Sequence, residues 1–237
     1  MSTRSKKNLQ REKNSHSTQN KQSRPGKKTK SSLETGSFRI IGGQWRSRRL
    51  SFPAIEGLRP TTDRVRETVF NWLNAEIQGA HVLDVFSGSG ALGLEALSRG
   101  ATSLLAIEKD KQAAKALQTN IDTLLSGSQD LKAVSIQHAD ALTYLASLKA
   151  SASNEAVADP NSKKYLFDLV FLDPPFRKGI LEETLNLLDQ HPSILKGALI
   201  YIEREKELPS ISIPSDWTRL KEKVAGQVLY QLFRVDG

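Results

Sequence analysis

The sequence predicts a doubly wound α/β fold with a mostly parallel sheet, helices on both faces and a final antiparallel pair of strands. Three observations lead to this prediction. Short apolar runs alternate with helical patterns from residue 82 onward, a glycine-rich turn joins the first run to its helix, and several later runs end at an acidic residue.

Composition excludes several classes of protein. A chain of 237 residues can bury one large core or two small ones. No apolar run approaches twenty residues and no apolar N-terminal segment resembles a secretory signal, so we expect no membrane span. Cysteine is absent and the 4 histidines are scattered, which predicts no metal site and fits a reducing compartment such as the cytoplasm.

The net charge of +8 is concentrated in the N-terminal third. Residues 1–37 hold ten Lys/Arg against two acids, and residues 38–70 hold seven against three, whereas acids exceed bases in the rest. This asymmetry indicates a polyanionic partner contacted from one side. Residues 1–37 are too polar to bury a core and are expected to be disordered. They could be an RNA-attracting arm, an inert tail or a targeting segment.

Residues 38–52 predict a β-hairpin, with a first arm over Phe38–Ile41, a turn at Gly42-Gly43 and a return through Leu50. Trp45 is interleaved with arginines, whose guanidinium groups suit phosphates, and an exposed indole could stack on an unpaired base. The structural alternative is an edge hairpin with solvated arginines and Trp45 in the core. The residues that we expect at RNA are Arg39, Trp45, Arg46, Arg48, Arg49, Arg59 and Arg64.

A helix is predicted after a turn at residues 57–60. Thr61 or Thr62 can cap it, and its apolar stripe at four-residue spacing runs to about Ile77. Arg64 and Arg66 lie off this stripe. They could face the ligand or RNA, or they could lie on a solvated face of the helix.

The glycine-rich turn is the first stretch that carries chemistry. Val82–Phe86, with Asp84 inside it, predicts a buried strand, and a helix that ends near Arg99 follows Gly88 and Gly90. Such a turn offers backbone N–H groups and a positive helix end where no side chain blocks approach, which predicts a nucleotide-like ligand. The same residues fit the pattern G-x-G-x-x-G, so a nicotinamide-dependent oxidoreductase is a rival interpretation.

Two acids follow the next strands. Glu108 ends the strand Ser103–Ile107, about twenty residues beyond the glycine turn, where a nucleotide-binding fold places the carboxylate that binds ribose. Asp140 follows the strand Ala133–Gln137 and could face an adenine amino group. Helix capping is the alternative role for both acids.

The second decisive stretch is Asp173-Pro174-Pro175-Phe176, directly after the strand Phe167–Leu172. Paired prolines exclude a helix and leave carbonyls free, so a carboxylate and a proline carbonyl can accept both hydrogens of an exocyclic amine. Phe176 offers a ring for stacking on a base. The structural alternative is a rigid turn with a buried Phe.

The remaining segments complete the predicted fold. They are a helix over Lys111–Leu125, a low-complexity surface insertion over 149–164, a helix over Ile180–Asp189, a strand over Ala198–Glu203, and an antiparallel pair over Trp217–Val224 and Val228–Phe233.

Taken together, the glycine turn and the Asp-Pro-Pro-Phe stretch resemble the class I S-adenosylmethionine-dependent methyltransferases that modify exocyclic amines. The stretches 39–46 and 58–73 are similar to one bacterial family within that class, the small-subunit ribosomal RNA guanine-N2 methyltransferases (RsmD type). The resemblance covers about residues 37–237. Asp-Pro-Pro-Phe alone is shared with DNA adenine methyltransferases, so the first two stretches carry the substrate assignment.

The resemblance implies S-adenosylmethionine as cofactor and small-subunit rRNA, free or in an assembling 30S particle, as partner of a cytoplasmic monomer. Methylation of a DNA adenine N6 or of another amine or amide, and a non-catalytic RNA-binding module, are the remaining alternatives. The expected divisions are a tail (1–37), an RNA-contacting hairpin and helix (38–77) and a methyltransferase domain (78–237). The implied cofactor-binding residues are Asp84, Phe86, Ser87, Gly88, Gly90, Glu108, Lys109, Asp140 and Ala141, and the implied catalytic residues are Asp173, Pro174, Pro175 and Phe176.

Overall fold

A computed structural model of the chain describes residues 35–55, 61–126, 133–153, 166–189 and 191–236. Almost all of the tail, the turn at 57–60 with Arg59, and most of the 149–164 insertion lie outside these residues. Among the described residues, no helix is both long enough and apolar enough to cross a membrane.

The described residues form nine strands and five helices. In chain order these are β1 (Thr35–Arg39), β2 (Arg49–Pro53), α1 (Asp63–Trp72), β3 (His81–Asp84), α2 (Ala91–Ser98), β4 (Ser103–Glu108), α3 (Lys111–Leu125), β5 (Ala133–His138), α4 (Ala141–Ser153), β6 (Phe167–Leu172), α5 (Leu181–Leu188), β7 (Ile194–Glu205), β8 (Trp217–Ala225) and β9 (Val228–Val235).

Seven strands form the central sheet in the order β5-β4-β3-β6-β7-β9-β8. The first five strands of this order are parallel, and β9 pairs antiparallel with both β7 and β8. The chain enters at the centre with β3, moves outward to β5, and then crosses back to β6. The strand order therefore reverses between β3 and β6, where doubly wound sheets bind their ligands. The predicted fold class is confirmed.

Apolar side chains from the two faces of the sheet form two buried clusters, one on each side. Both faces of β3 and β6 are covered, as continuous apolar runs require. The predicted bounds of α3 and β6 agree with the observed ones, and the final antiparallel pair is confirmed. Several predicted bounds were wrong: α1 ends at Trp72 rather than near Ile77, and α4 continues to Ser153, past the predicted start of the insertion. The strand predicted over Ala198–Glu203 is longer, Ile194–Glu205, and β3 ends at Asp84 rather than Phe86.

The N-terminal hairpin differs from the prediction in its connection. Strands β1 and β2 pair antiparallel, but the nine residues 40–48 join them instead of a two-residue turn at Gly42-Gly43. This loop lies on the end of α2, where Ser98 accepts from Gln44 N at 2.8 Å and from Trp45 N at 3.0 Å. A Cβ on Gly43 would meet the Ser98 carbonyl at 1.9 Å. Glycine is needed here for close approach rather than for a tight hairpin turn.

The loop 40–48 also corrects the expectation for Trp45. Its indole is only 5% exposed and packs in the same core cluster as Phe38 and Leu50, so the prediction of an exposed stacking surface was wrong. Arg66 is fully buried, so a solvated position for it was also wrong. Its guanidinium donates to Asp63 at 2.6 Å, which compensates for the burial of the charge.

Candidate active site

The candidate site lies at the edge of the sheet where β4, β3, β6 and β7 end. Within this edge, Asp84 pairs in register with Ala106 of β4 and with Phe171 of β6. The glycine turn, Glu108 and the Asp-Pro-Pro-Phe stretch therefore follow three adjacent strands. The residues predicted to bind the cofactor and those predicted to bind the substrate amine therefore lie at one edge of the sheet.

The glycine turn between β3 and α2 needs two glycines. Gly88 has φ 52° and Gly90 has φ 79°, and a Cβ on Gly90 would meet Leu117 Cδ1 at 2.3 Å. Helix α2 begins at Ala91, and its N-cap residue Gly90 has no side chain to cap it, although Asp84 accepts from Gly93 N–H in the first turn. The positive end of this helix favours a polar or anionic ligand. Phe86 is half-buried in the turn, and Ser87 is buried with its hydroxyl donating to the Asp84 carbonyl at 3.0 Å.

Asp84 lies beneath this turn. Its side chain is buried, and Oδ2 accepts from Gly93 N at 3.2 Å, which ties β3 to the first turn of α2. Burial raises the pKa of Asp84 to about 7, against the lowering effect of the Gly93 bond, and the charge of Glu108 adds to the rise. The visible contact of Asp84 is with the protein, and its role toward the cofactor stays a prediction.

Glu108 bridges two loops at the end of β4. Its Oε2 accepts from Gly88 N at 2.7 Å and its Oε1 accepts from Asp110 N at 2.6 Å. Helix α3 is capped instead by Asp110, which accepts from Gln112 N and Ala113 N. The capping alternative for Glu108 was therefore wrong, and a half-buried carboxylate stands beside the glycine turn.

Asp140 does cap its helix, because Oδ1 accepts from Thr143 N at 3.2 Å at the start of α4. Lys109, a surface side chain, forms an ion pair with Asp140 at 3.0 Å. The Lys109 ammonium and then the Thr143 N–H lower the pKa of Asp140. Ala141 is buried as the first residue of α4. Ligand contact by these three residues stays a prediction.

Asp173 ends β6 with its carboxyl turned toward the segment before α1. Thr61 Oγ1 donates to Asp173 Oδ2 at 3.1 Å. Burial raises the pKa of Asp173 well above its ordinary value, and the charge of Glu203 adds to the rise. The hydrogen bond from Thr61 opposes it. Pro174 is buried and Pro175 is exposed. Phe176 is 41% exposed, so the alternative of a buried Phe at this position is wrong.

The turn after Phe176 is fixed by β7. Arg177 has φ 61°, a left-handed conformation that is rare outside glycine, and its N–H donates to Glu205 Oε1 at 2.6 Å. Glu203 precedes Glu205 by two positions on β7, so both side chains point to the same face of the sheet. Glu203 accepts from the Tyr201 hydroxyl at 2.9 Å. Sequence reasoning missed Glu203 and Glu205 as parts of the site. The available signal was an acid within the otherwise apolar run of β7.

The arginines predicted to contact RNA that the structure describes are surface residues. Arg39, Arg46, Arg48, Arg49 and Arg64 are all exposed. A cavity of about 220 Å³ opens between the loop 40–48 and α1, and Arg39, Arg46, Asp63 and Glu67 contribute to its lining. Contact of this surface with RNA stays a prediction.

No group of three or more His, Asp or Glu side chains among the described residues is arranged to hold a metal ion.

The strand order, the glycine turn after the first strand of the sheet and Asp-Pro-Pro-Phe after the fourth define a class I methyltransferase. The family model described as "Conserved hypothetical protein 95" matches residues 38–234.

Relatives and a solved structure narrow this class. Ribosomal RNA small subunit methyltransferase D of Escherichia coli (strain K12) is 46% identical over 200 residues, which cover 84% of this chain and 91% of that protein. The Haemophilus influenzae protein of the same name is 41% identical over 208 residues, 88% of this chain and 99% of that one. The solved structure of Escherichia coli yhhF has a TM-score of 0.70 and 42% identity, and covers 85% of this chain and 99% of that chain. The chain belongs to the ribosomal RNA small subunit methyltransferase D family, and the predicted family is confirmed.

Proposed function

We propose that this protein methylates the exocyclic N2 amine of a guanine in small-subunit rRNA, with S-adenosylmethionine as methyl donor. The observation that carries the proposal is the exposed Phe176 ring, three residues after Asp173, at the end of a strand that pairs with the strand before the glycine turn. The names of the relatives favour rRNA over DNA as substrate. A substrate of this kind implies a cytoplasmic enzyme, and a monomer acting on free or assembling small-subunit RNA stays our expectation.

The residues of the turn fit the proposed cofactor. Gly88 and Gly90 leave room for a ligand to approach the backbone, the positive end of α2 suits its carboxylate, and Glu108 suits ribose hydroxyls. Each Glu108 oxygen accepts one backbone N–H and keeps acceptor capacity for a hydroxyl. When bound, S-adenosylmethionine supplies an electrophilic methyl group on its sulfonium sulfur.

The acceptor side must align a weak nucleophile. The guanine N2 lone pair is delocalised into the ring, and hydrogen bonds from the amine to the Asp173 carboxylate and the Pro174 carbonyl favour a more pyramidal nitrogen. Phe176 holds the base by stacking once it has left its own stack. Alignment of this kind supplies several kcal/mol, within a limit of about 7–11 for ideal positioning. Asp173 does not have to be a strong base, because the methylated cationic amine is acidic enough to lose its proton to water.

The test uses labelled S-adenosylmethionine and small-subunit rRNA from cells that lack the protein, both free and in particles, with DNA as the control substrate. We expect label in one guanine of the rRNA and none in DNA. Label in DNA adenine, or RNA binding without transfer, would favour the alternatives.

The Asp173→Ala variant separates chemistry from folding. We expect turnover to be abolished while S-adenosylmethionine binding, measured by calorimetry, is largely retained. The matched control is Asp122→Ala on the exposed face of α3. Loss of both activities in Asp173→Ala would mean that Asp173 is structural.

A further inference from the structure

The Thr61 side chain meets the Asp173 carboxyl at the proposed site of the substrate amine. Thr61 is 8% exposed, and its hydroxyl donates to the half-buried Asp173 at Oδ2 over 3.1 Å. The buried Glu203 carboxyl, which accepts from the Tyr201 hydroxyl at 2.9 Å, acts on Asp173 through its charge. Asp173 therefore has a hydrogen-bond donor and a repelling neighbour.

The Thr61 hydroxyl has a single hydrogen, and in the structure that hydrogen is donated to Asp173. A donated hydrogen bond favours the ionised form of a carboxyl. Two ionised carboxyls near each other in a buried site also repel, so the neighbouring Glu203 charge opposes ionisation of Asp173 and the Thr61 bond favours it.

The electrostatic surroundings show why Asp173 needs such a donor. Burial, followed by the Glu203 charge, raises the pKa of Asp173 well above its ordinary value, and the Thr61 bond opposes this rise. Burial raises the pKa of Glu203 to about 6, against the lowering effect of the Tyr201 and Thr61 hydroxyls. The other ionisable groups that act here are Asp84 from β3 and Tyr230 from β9, and the Arg66 guanidinium lies at the backbone of Thr61.

Thr61 is held in place by the N-terminal segment. Arg66, which is fully buried, donates from Nε to the Thr61 carbonyl at 3.2 Å and from Nη2 to the Arg39 carbonyl at 2.9 Å. Thr62, not Thr61, caps α1 through Val65 N. The Thr61 hydroxyl is therefore free of a capping role, and its backbone is tied to strand β1.

We propose that Thr61 is a positioning residue for Asp173, whose carboxylate it holds by a donated hydrogen bond. One Asp173 oxygen is thereby fixed by Thr61 and the other is left for the amine. The segment before α1 completes the acceptor site. This inference rests on the proposed function, in which Asp173 touches the substrate amine.

The test is the pH dependence of single-turnover methyl transfer to the rRNA substrate. Thr61→Val removes a donor to ionised Asp173, so we expect the rate to fall about tenfold or more and the acid limb to move to higher pH. Glu203→Gln removes a neighbouring negative charge, so its acid limb should move to lower pH. Thr61→Ser should restore most of the Thr61→Val loss, and S-adenosylmethionine affinity should be unchanged throughout. The matched control is Thr68→Val, whose hydroxyl donates only within its own helix, to the Arg64 carbonyl at 3.0 Å.

Infrared pH titrations without substrate give a readout that does not depend on activity. The protonated-carboxyl band should persist to higher pH in Thr61→Val than in Thr68→Val, because Asp173 has lost a donor, and the contribution of Asp84 is common to both variants. Equal titrations in these two variants would overturn the proposal. So would acid limbs that coincide in all variants, or a Thr61→Val rate equal to that of Thr68→Val. A shifted titration in Thr61→Val, together with a wild type that methylates no rRNA, would instead refute the proposed function.

Discussion

Replacing Asp84 with Asn is expected to stabilise the protein above neutral pH. The side chain is only 2% exposed and its pKa is about 7 in the fold, against an ordinary 3.8. In the unfolded chain the carboxyl ionises above about pH 4, whereas in the fold it stays protonated up to about pH 7. Because the folded pKa is raised, its contribution to stability is complete below about pH 4 and is lost as the pH rises to 7. A shift of about three pH units corresponds to about 4 kcal/mol.

The assay is urea unfolding of both proteins between pH 5 and pH 9. The asparagine carries no charge and keeps an acceptor for Gly93 N–H, so its stability should lack this loss. The difference in unfolding free energy should grow by about 1.4 kcal/mol per pH unit up to pH 7 and then level off. From pH 5 to pH 7 this is about 3 kcal/mol, or a Tm difference of about 6–12 °C.

The control for loss of a surface charge is Asp122→Asn on exposed α3, which should show a much smaller change with pH. A stability difference between wild type and Asp84→Asn that stays constant from pH 5 to pH 9 would refute the reasoning. It would mean that Asp84 is ionised in the folded protein despite its burial.

Three further outcomes concern ligand binding. Glu108→Ala should raise the S-adenosylmethionine Kd about 10- to 100-fold in calorimetry, because it removes a charged hydrogen-bond acceptor that also holds Gly88. An unchanged Kd would mean that the ribose binds elsewhere. Phe176→Ala should raise the KM for RNA about tenfold, because stacking a base contributes about 1–3 kcal/mol, while Phe176→Tyr should stay near wild type. Equal effects of both changes would exclude stacking. Arg48→Gln should weaken RNA binding and lower its salt slope by roughly 1, unlike Arg219→Gln on β8, and equal slopes would remove Arg48 from the RNA surface.

The fold was predictable because its signals are local. Apolar runs bounded by glycine, proline and acids fix where strands end, and the bounds of α3 and β6 needed nothing beyond their own residues. The two turns that we propose to face ligands are equally local, since Gly88, Gly90 and the paired prolines constrain the backbone through their own covalent structure. Parallel strands then bring these turns to one edge of the sheet without further information.

The missed features all depend on contacts between distant parts of the chain. Thr61 and Asp173 are 112 residues apart, and the loop 40–48 meets Ser98 across more than 50. An arginine interleaved with hydrophobic residues gives no sign of whether its guanidinium finds buried partners, so Arg66 looked like a surface residue. Trp45 gave the same ambiguity, and tertiary packing decided it in favour of the core.

These distant contacts join the proposed RNA-facing loop to both halves of the reaction site. Glu95, in the helix that follows the glycine turn, accepts from Ile41 N at 2.7 Å and from Gly42 N at 2.8 Å, and lies 3.6 Å from Arg66. Arg66 in turn donates to the Thr61 carbonyl, and the Thr61 hydroxyl donates to Asp173. Removing one partner of a buried ion pair costs about 3–5 kcal/mol, so this frame resists deformation. The loop 40–48, the helix after the glycine turn and the Asp173 carboxyl are therefore connected by one continuous set of contacts.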